Sequence, residues 1–236
     1  NLNLAITLSP DIWEAYMIRG NIFRIQGKIE DAMMDLDIAV NSSKCPREAY
    51  LYRGLAYGTV RNFDKAIADL TTFLQLTPDY HKNKEDAILQ RGIARFYERN
   101  YSEATNDLDQ VIKRNPNHWL AFRFLGLVHL EKEKYFSALS NFNIAYEKGD
   151  NDAELFFNRG IAQIHLSHYL NAISDFSIFL DNVDDNHPDY SFALEKRGLS
   201  LFFMKRKDEA CIDWEYSFSL NRDDLTGLFL KKHCQN

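Results

Sequence analysis

Hydrophobic residues recur at helical spacing along almost the whole chain, in pairs of segments joined by short polar turns. In the first segment of a pair, an apolar residue stands four positions before a glycine. In the second segment, an alanine stands four positions before a bulky apolar residue. Steps of four place side chains on one face of a helix. The turns, such as 26–28 and 61–62, are polar, so the pattern predicts a helical hairpin as the unit of the fold.

Six glycines mark successive units: Gly20, Gly54, Gly92, Gly126, Gly160 and Gly198. They are separated by 34, 38, 34, 34 and 38 residues. An alanine follows each glycine by twelve positions: Ala32, Ala66, Ala104, Ala138, Ala172 and Ala210. A glycine within a helix costs roughly 1 kcal/mol relative to alanine, so six in register indicate that two backbones must cross closely at this point.

A 34-residue hairpin with this order of small and large residues resembles the tetratricopeptide repeat. One unit shows the order as Tyr50, Gly54, Ala66, Leu70 and Pro78. The resemblance implies an all-α fold, a right-handed α-solenoid of tetratricopeptide-like hairpins.

The predicted solenoid has six repeats over residues 11–222, bounded as 11–46, 47–84, 85–118, 119–152, 153–190 and 191–222. Residues 1–10 match the second helix of a truncated upstream repeat that ends at Pro10. An amphipathic segment from Asp223 to Cys234 predicts a C-terminal capping helix, so that 223–236 form a cap and tail.

Five units carry an arginine directly before the marker glycine and an aspartate in the second helix. The exception is the fourth unit, where the arginine becomes Leu125 and the aspartate becomes Asn141. Because both positions change together, we predict an ion pair between the two helices of a hairpin or between adjacent hairpins. A display of free guanidinium groups for a phosphate or carboxylate partner is the alternative.

By the same resemblance, the first helices line a concave face that binds partners. The candidate partner-binding residues on this face are Asn21, Tyr52, Phe96, Arg123, Phe124, Phe157, Asn158 and Lys196. The four rings among them are predicted to include solvent-facing ones, and the polar residues would orient the partner. Packing against neighbouring helices is the alternative for each ring.

The family's clamp for the terminal carboxylate of chaperones is not expected in the first three repeats, which place Met17, Asn21, Tyr52, Asp86 and Gln90 at its positions. Repeats four to six offer three polar groups of suitable type. The alternatives there are a degenerate carboxylate site at Arg123, Asn158 and Lys196 and a chance arrangement.

Composition narrows the function further. The chain is 45% hydrophobic and 26% charged, as folded domains are, and its net charge is -6. An acidic balance argues against nucleic-acid binding, and no apolar run is long enough to predict direct membrane insertion. The three cysteines are far apart in the sequence, and we predict ordinary free thiols at Cys45, Cys211 and Cys234.

No catalytic motif is present in the sequence. His165 and His168 are spaced for a shared helical face, but without a nearby carboxylate or thiol they favour a turn or surface role over a metal site. We therefore predict no enzyme activity, no cofactor and no metal.

The sequence predicts a non-enzymatic scaffold or adaptor that binds a protein or peptide in its concave groove, in the cytoplasm. One alternative is a regulatory or substrate-recruiting arm of a larger enzyme or assembly whose other domain lies upstream of residue 1. Self-association through the exposed N-terminal end of the solenoid is another.

Overall fold

The computed structural model describes residues 2–9, 11–221 and 224–234, and these residues are helical with short connections. The predicted all-α solenoid is confirmed. Pro10 and Asp223, predicted to bound the first and last helices, lie outside the described residues.

The chain forms two compact units, Asn1–Pro116 (unit 1) and Asn117–Asn236 (unit 2). Unit 1 contains α1 (Leu2–Leu8), α2 (Trp13–Ile25), α3 (Ile29–Val40), α4 (Arg47–Thr59), α5 (Phe63–Leu76), α6 (Lys84–Tyr97) and α7 (Tyr101–Arg114). Unit 2 contains α8 (Trp119–Glu131), α9 (Tyr135–Glu147), α10 (Ala153–His165), α11 (Tyr169–Asn182), α12 (Tyr190–Phe203), α13 (Lys207–Leu220), α14 (Asp224–Phe229) and a π-helical turn (Leu230–Cys234).

Each hairpin pairs a first helix with the helix that follows it, from α2 with α3 to α12 with α13. The marker glycine lies where the two helices cross. A Cβ atom on Gly126 would lie 2.5 Å from Cε1 of Phe142, and one on Gly54 would lie 3.0 Å from Cγ of Leu70. Real Cβ atoms essentially never approach closer than 3.0 Å, so the crossing itself requires a glycine at Gly20, Gly126, Gly160 and Gly198, as the sequence predicts. At Gly54 and Gly92 a side chain would fit only if the facing residue shifted.

Within each unit the core consists of small clusters that consecutive hairpins share. In unit 2, for example, Ala138, Phe142 and Ala145 of α9 pack with Leu155 and Ala162 of α10. Each hairpin is therefore stabilised by its neighbours, as in other repeat proteins.

The predicted ion pairs lie within hairpins. Arg159 donates from Nε and Nη2 to the two carboxylate oxygens of Asp175, both at 2.7 Å. The same two-pronged pair forms at Arg19 with Asp35, Arg53 with Asp69, Arg91 with Asp107, and Arg197 with Asp213.

The remaining guanidinium nitrogen of each arginine reaches the preceding second helix. Its acceptors are Asn3, Asp37, Thr71, Asn143 and Ser177 in chain order. Each arginine thus links three helices, and the guanidinium groups are engaged within the chain.

Six tight turns join the helices of the hairpins, and each contains a residue with positive φ seven positions after the marker glycine. These residues are Gly27, Arg61, Arg99, Glu133, Ser167 and Lys205, with φ between 55° and 76°. In the first turn the residue is glycine, which adopts this conformation without strain. The other five turns place a side chain in the left-handed region.

Replacing Glu133 with glycine is expected to stabilise unit 2, because glycine relieves the left-handed strain at this exposed position. The gain is about 0.5–1 kcal/mol after the greater freedom of glycine in the unfolded chain is counted. Lys132→Gly is the matched control, since Lys132 has an ordinary φ of -90° and should lose stability instead. Urea denaturation of both variants measures the difference, and a Glu133→Gly variant less stable than wild type would contradict the argument.

The prediction of three free thiols is wrong for two of them. Cys211 of α13 and Cys234 of the π-helical turn form a disulfide, with their Cα atoms 5.7 Å apart, whereas Cys45 is free. Sequence separation concealed the pair, because the C-terminal segment folds back over the last hairpin. There, Phe229, Leu230 and Cys234 pack against the core cluster that contains Trp214, and the Phe229 ring stacks on the Trp214 ring.

Candidate functional site

Two of the predicted partner-binding rings are core residues. Phe124 is 8% exposed and Phe157 is 9% exposed. The Phe157 ring contacts the rings of Phe179 and Phe192 at 5.0 and 6.0 Å. For these two rings, packing within the fold is therefore the alternative that the structure favours over solvent exposure. Their removal would open cavities in the core instead of testing a binding surface.

The polar candidates in unit 2 already have partners within the unit. Arg123 lies 3.3 Å from a carboxylate oxygen of Asp150 and 3.0 Å from one of Asp152. Asn158 donates to the backbone oxygen of Glu154. The Lys196 ammonium is 2.9 Å from Glu195 and lies over the Phe192 ring at 4.5 Å. These contacts give each group a structural role, and the degenerate carboxylate site stays a prediction.

The candidates in unit 1 are less covered. Tyr52 is half-buried between two core clusters. Phe96 is also half-buried, with its ring 5.3 Å from that of Tyr97 and 6.0 Å from that of Tyr101. The Asn21 amide oxygen accepts hydrogen bonds from Nε and Nη2 of Arg24 at 3.1 and 2.9 Å. Asn21 therefore positions an arginine that was absent from the predicted set.

That arginine lines a cavity of about 470 Å³ in unit 1. The cavity is bounded by three consecutive first helices, of which α4 contacts both α2 and α6. Its principal lining residues are Arg24 from α2, Leu55 and Gly58 from α4, and Asp86, Gln90, Ile93 and Tyr97 from α6. A cavity of this size with a few polar groups has the character of a ligand site.

Aromatic side chains close one side of the cavity. The rings of Phe63 and Tyr97 are stacked, with centroids 4.8 Å apart and planes 10° apart. The guanidinium of Arg61 lies over both rings, 5.5 Å from the Tyr97 centroid and 6.0 Å from that of Phe63. Such a wall offers a flat, rigid contact surface to a partner side chain.

The cavity is open at Gly58, where a Cβ atom would meet nothing within 4 Å. Gly58 therefore differs from the marker glycines, where a side chain would press against the facing helix of the hairpin. Its effect is to leave space between neighbouring first helices.

The electrostatics of Arg24 are unusual for this chain. Burial lowers the pKa of Arg24, whereas the hydrogen bond to the paired aspartate raises the pKa of Arg19, Arg53 and Arg197. Among the described residues, no carboxylate lies within salt-bridge distance of Arg24. Arg24 thus has no described carboxylate in contact, and the charge of Asp86, another residue of the cavity, opposes only part of the effect of burial on the Arg24 pKa.

The sequence analysis placed Asp86 and Gln90 at the positions of the carboxylate clamp but missed Arg24 and Gly58. The signal was available, because both stand four residues after a marker glycine, the position of the predicted Phe96 in the next repeat.

Glu154, His187 and Asp189 in unit 2 have the composition of a metal site, but His187 takes part in a hydrogen bond at the start of α12. Potential ligand atoms of Glu154, His187 and Asp189 lie within 4.8 Å of one another. However, Nδ1 of His187 accepts from the backbone N–H of Asp189 at 3.2 Å. Nε2 therefore carries the proton and faces Glu154, 3.2 Å away, so it has no lone pair for a metal.

The same arrangement recurs in unit 1. His81 accepts from the backbone N–H of Asn83 and faces Glu48. We assign neither cluster to a metal. Of the two histidines for which the sequence favours a turn or surface role, His165 stacks on Tyr135 with ring centroids 4.0 Å apart.

Comparison with known proteins agrees with this architecture. A family model described as tetratricopeptide repeat matches residues 89–153, and the resemblance predicted from the glycine spacing is confirmed. No curated protein matches the sequence. None of the described helices combines the length and the hydropathy required to cross a membrane.

Several solved structures share the fold. The chain is similar to one from the APC/C hetero-tetramer Cut9–Hcn1, with 17% identity and a TM-score of 0.72, covering 99% of this chain and 45% of that one. It is also similar to PilF of Pseudomonas aeruginosa, with 17% identity and a TM-score of 0.74, covering 93% and 96% of the two chains.

A third similar structure is YrrB, described as a TPR protein with an unusual peptide-binding site. It has 19% identity and a TM-score of 0.64, covering 84% of this chain and 97% of YrrB. The chain thus spans less than half of the Cut9–Hcn1 chain that it matches and nearly all of the other two. At these identities the similarity shows the fold.

Proposed function

Since the chain is built from tetratricopeptide-type hairpins, we propose that it is a non-enzymatic scaffold that holds a partner polypeptide at the cavity of unit 1. Solenoids of this kind present a face of first helices to extended peptides or helices. The proposal keeps the predicted function but moves the site to the α2, α4 and α6 residues that line the cavity.

The observation that carries the proposal is the open space at Gly58 beside Arg24 and the Phe63–Tyr97 ring pair. Packing of the hairpins does not require a glycine there, and a glycine within a helix is unfavourable. A side chain of a partner can enter this space and contact both the apolar floor of Leu55 and Ile93 and the polar groups around it. Further support comes from half-buried Tyr52 and Phe96, which can extend the contact surface.

Filling the cavity is expected to abolish partner binding without unfolding the protein. Gly58→Ile places a branched side chain in the open space, whereas Gly58→Ala adds only a methyl group and serves as the matched control. Both residues have higher helix propensity than glycine, so neither change should reduce helicity. An array of short peptides with both termini blocked, probed with the labelled proteins, measures binding.

We expect wild type and Gly58→Ala to bind a common set of peptides that Gly58→Ile does not bind, with a loss of about tenfold or more in affinity. Circular dichroism confirms equal helicity beforehand. If Gly58→Ile binds the same peptides equally well, the partner does not occupy the cavity and this site is wrong.

A further inference from the structure

Unit 2 repeats unit 1 with a constant offset of 106 residues. The marker glycines Gly20, Gly54 and Gly92 correspond to Gly126, Gly160 and Gly198. The histidine contacts correspond as well, since His81 faces Glu48 and the Phe73 ring, and His187 faces Glu154 and the Phe179 ring. The two units are therefore copies of one block of three hairpins, and each position of the cavity has a counterpart to compare.

The aromatic wall is present in both copies. Tyr169 and Phe203 are the counterparts of Phe63 and Tyr97, and their rings stack at 4.7 Å. The remaining walls differ. The counterpart of Gly58 is Ile164, which packs against the cluster around Phe157, and the counterpart of Arg24 is Leu130, which packs against the cluster around Phe142.

The counterparts of Asp86 and Gln90 are Phe192 and Lys196. Unit 2 thus shows that the fold does not need a glycine or an arginine at these positions. The open space beside Arg24 belongs to unit 1, and its polar groups are not requirements of helix packing.

Arg24 also differs from the arginines of the hairpin pairs. Those arginines bind a carboxylate through two nitrogens, whereas Nε and Nη2 of Arg24 both donate to the single amide oxygen of Asn21. A neutral amide orients the guanidinium but does not compensate its charge. A half-buried guanidinium in this state gains from a carboxylate far more than an exposed one, because the surrounding dielectric is low.

We propose that the cavity of unit 1 accepts an aspartate or glutamate side chain of the partner, which pairs with Arg24. An adjacent apolar residue of the partner then packs on Leu55 and Ile93. This inference rests on the proposed function, since it names the partner chemistry of the same site.

An internal acidic side chain fits better than a chain terminus. The cavity is lined by Arg24, by Arg61 over the Phe63–Tyr97 ring pair, and by the carboxylate of Asp86, which repels a second negative charge. A C-terminal aspartate or glutamate would bring two negative charges, its α-carboxylate and its side-chain carboxylate.

The test uses the blocked peptides that wild type binds, so that carboxylates come from side chains alone. In each peptide the acidic residues are changed one at a time, Glu to Gln and Asp to Asn, and affinities are measured by fluorescence anisotropy. The proteins are wild type, Arg24→Leu and Lys113→Leu. Leucine is the natural counterpart at position 130, and Lys113 is an exposed residue of α7 whose removal makes the same change in net charge.

We expect one acidic position at which the amide substitution lowers affinity for wild type and for Lys113→Leu by at least about tenfold, and for Arg24→Leu by less than about twofold. An equal loss in all three proteins, or no loss in wild type, would overturn the pairing with Arg24 while leaving binding at the cavity intact. If no blocked peptide binds wild type better than it binds Gly58→Ile, the proposed function fails, and this inference fails with it.

Discussion

Asp175→Asn is expected to be among the most destabilising single polar substitutions in unit 2. Asp175 is 3% exposed, and its carboxylate accepts hydrogen bonds from Nε and Nη2 of Arg159. The introduced amide cannot compensate the guanidinium charge of Arg159, and the Arg159 side chain is only 12% exposed to solvent. Breaking a buried pair from one side typically costs about 3 kcal/mol or more. Urea denaturation followed by circular dichroism measures this loss.

The chain supplies the control for this experiment. In the preceding hairpin, Leu125 and Asn141 occupy the positions of the arginine and the aspartate, and the Asn141 amide donates to the backbone oxygen of Ser137. The double variant Arg159→Leu with Asp175→Asn should therefore be more stable than Asp175→Asn alone, by about 2 kcal/mol. Losses that simply add in the double variant would show that the two side chains do not act as a pair.

Removal of the disulfide is expected to release the C-terminal cap. The bond joins residues 23 positions apart. A cross-link of this span restricts the unfolded chain, so its removal lowers the free energy of unfolding by about 3 kcal/mol in the chain-entropy treatment. The loss falls on the cap, because the described residues after 224 contact the rest of the unit mainly through α13. Trp214, fully buried and stacked on Phe229 at 5.1 Å, then becomes accessible to solvent.

Hydrogen exchange followed by mass spectrometry measures this effect in Cys234→Ser. We expect faster exchange in peptides covering 224–234 and in the last turns of α13, with α8 to α11 unchanged. Cys45→Ser, which removes the free thiol of unit 1, is the control and should exchange like wild type. Equal protection of the cap in Cys234→Ser would mean that apolar packing on Trp214 holds the cap without the bond.

The disulfide also bears on the predicted location. Disulfides persist in oxidising compartments and are rare in the cytosol, so the bond and the predicted cytoplasmic location favour different environments. A thiol count on protein isolated from its native cells under alkylating conditions distinguishes them. One free thiol per chain corresponds to the bonded form and three to the reduced form.

The helices and ion pairs could be predicted because they depend on spacing. The constant interval from each marker glycine to its alanine fixes where two helices cross, and the joint change to Leu125 and Asn141 identifies the paired positions. The crossing recurs in all six repeats and the ion pair in five of them, so one sequence contains several independent examples of each.

The candidate site was harder to predict, because it depends on how far the next hairpin covers a given position. Phe124 and Phe157 stand two and three residues before a marker glycine, and both are buried, with the Phe157 ring packed against Phe192 of the next hairpin. The cavity arises at Gly58, whose place four residues after a marker glycine is visible in the sequence, but spacing does not show whether the space beside it is open or filled. The Cys211–Cys234 bond depends on the path of the cap, which no repeat pattern specifies.

The most direct test of the central claim locates a bound peptide on the protein. A blocked peptide selected by wild type is labelled with a nitroxide at one end, and the broadening of assigned backbone amide signals is measured by NMR. Binding at the cavity predicts that Gly58, Ile93 and Tyr97 broaden, while their counterparts Ile164, Leu199 and Phe203 do not. Broadening centred on unit 2, or spread equally over both copies, would contradict a partner site in the cavity of unit 1.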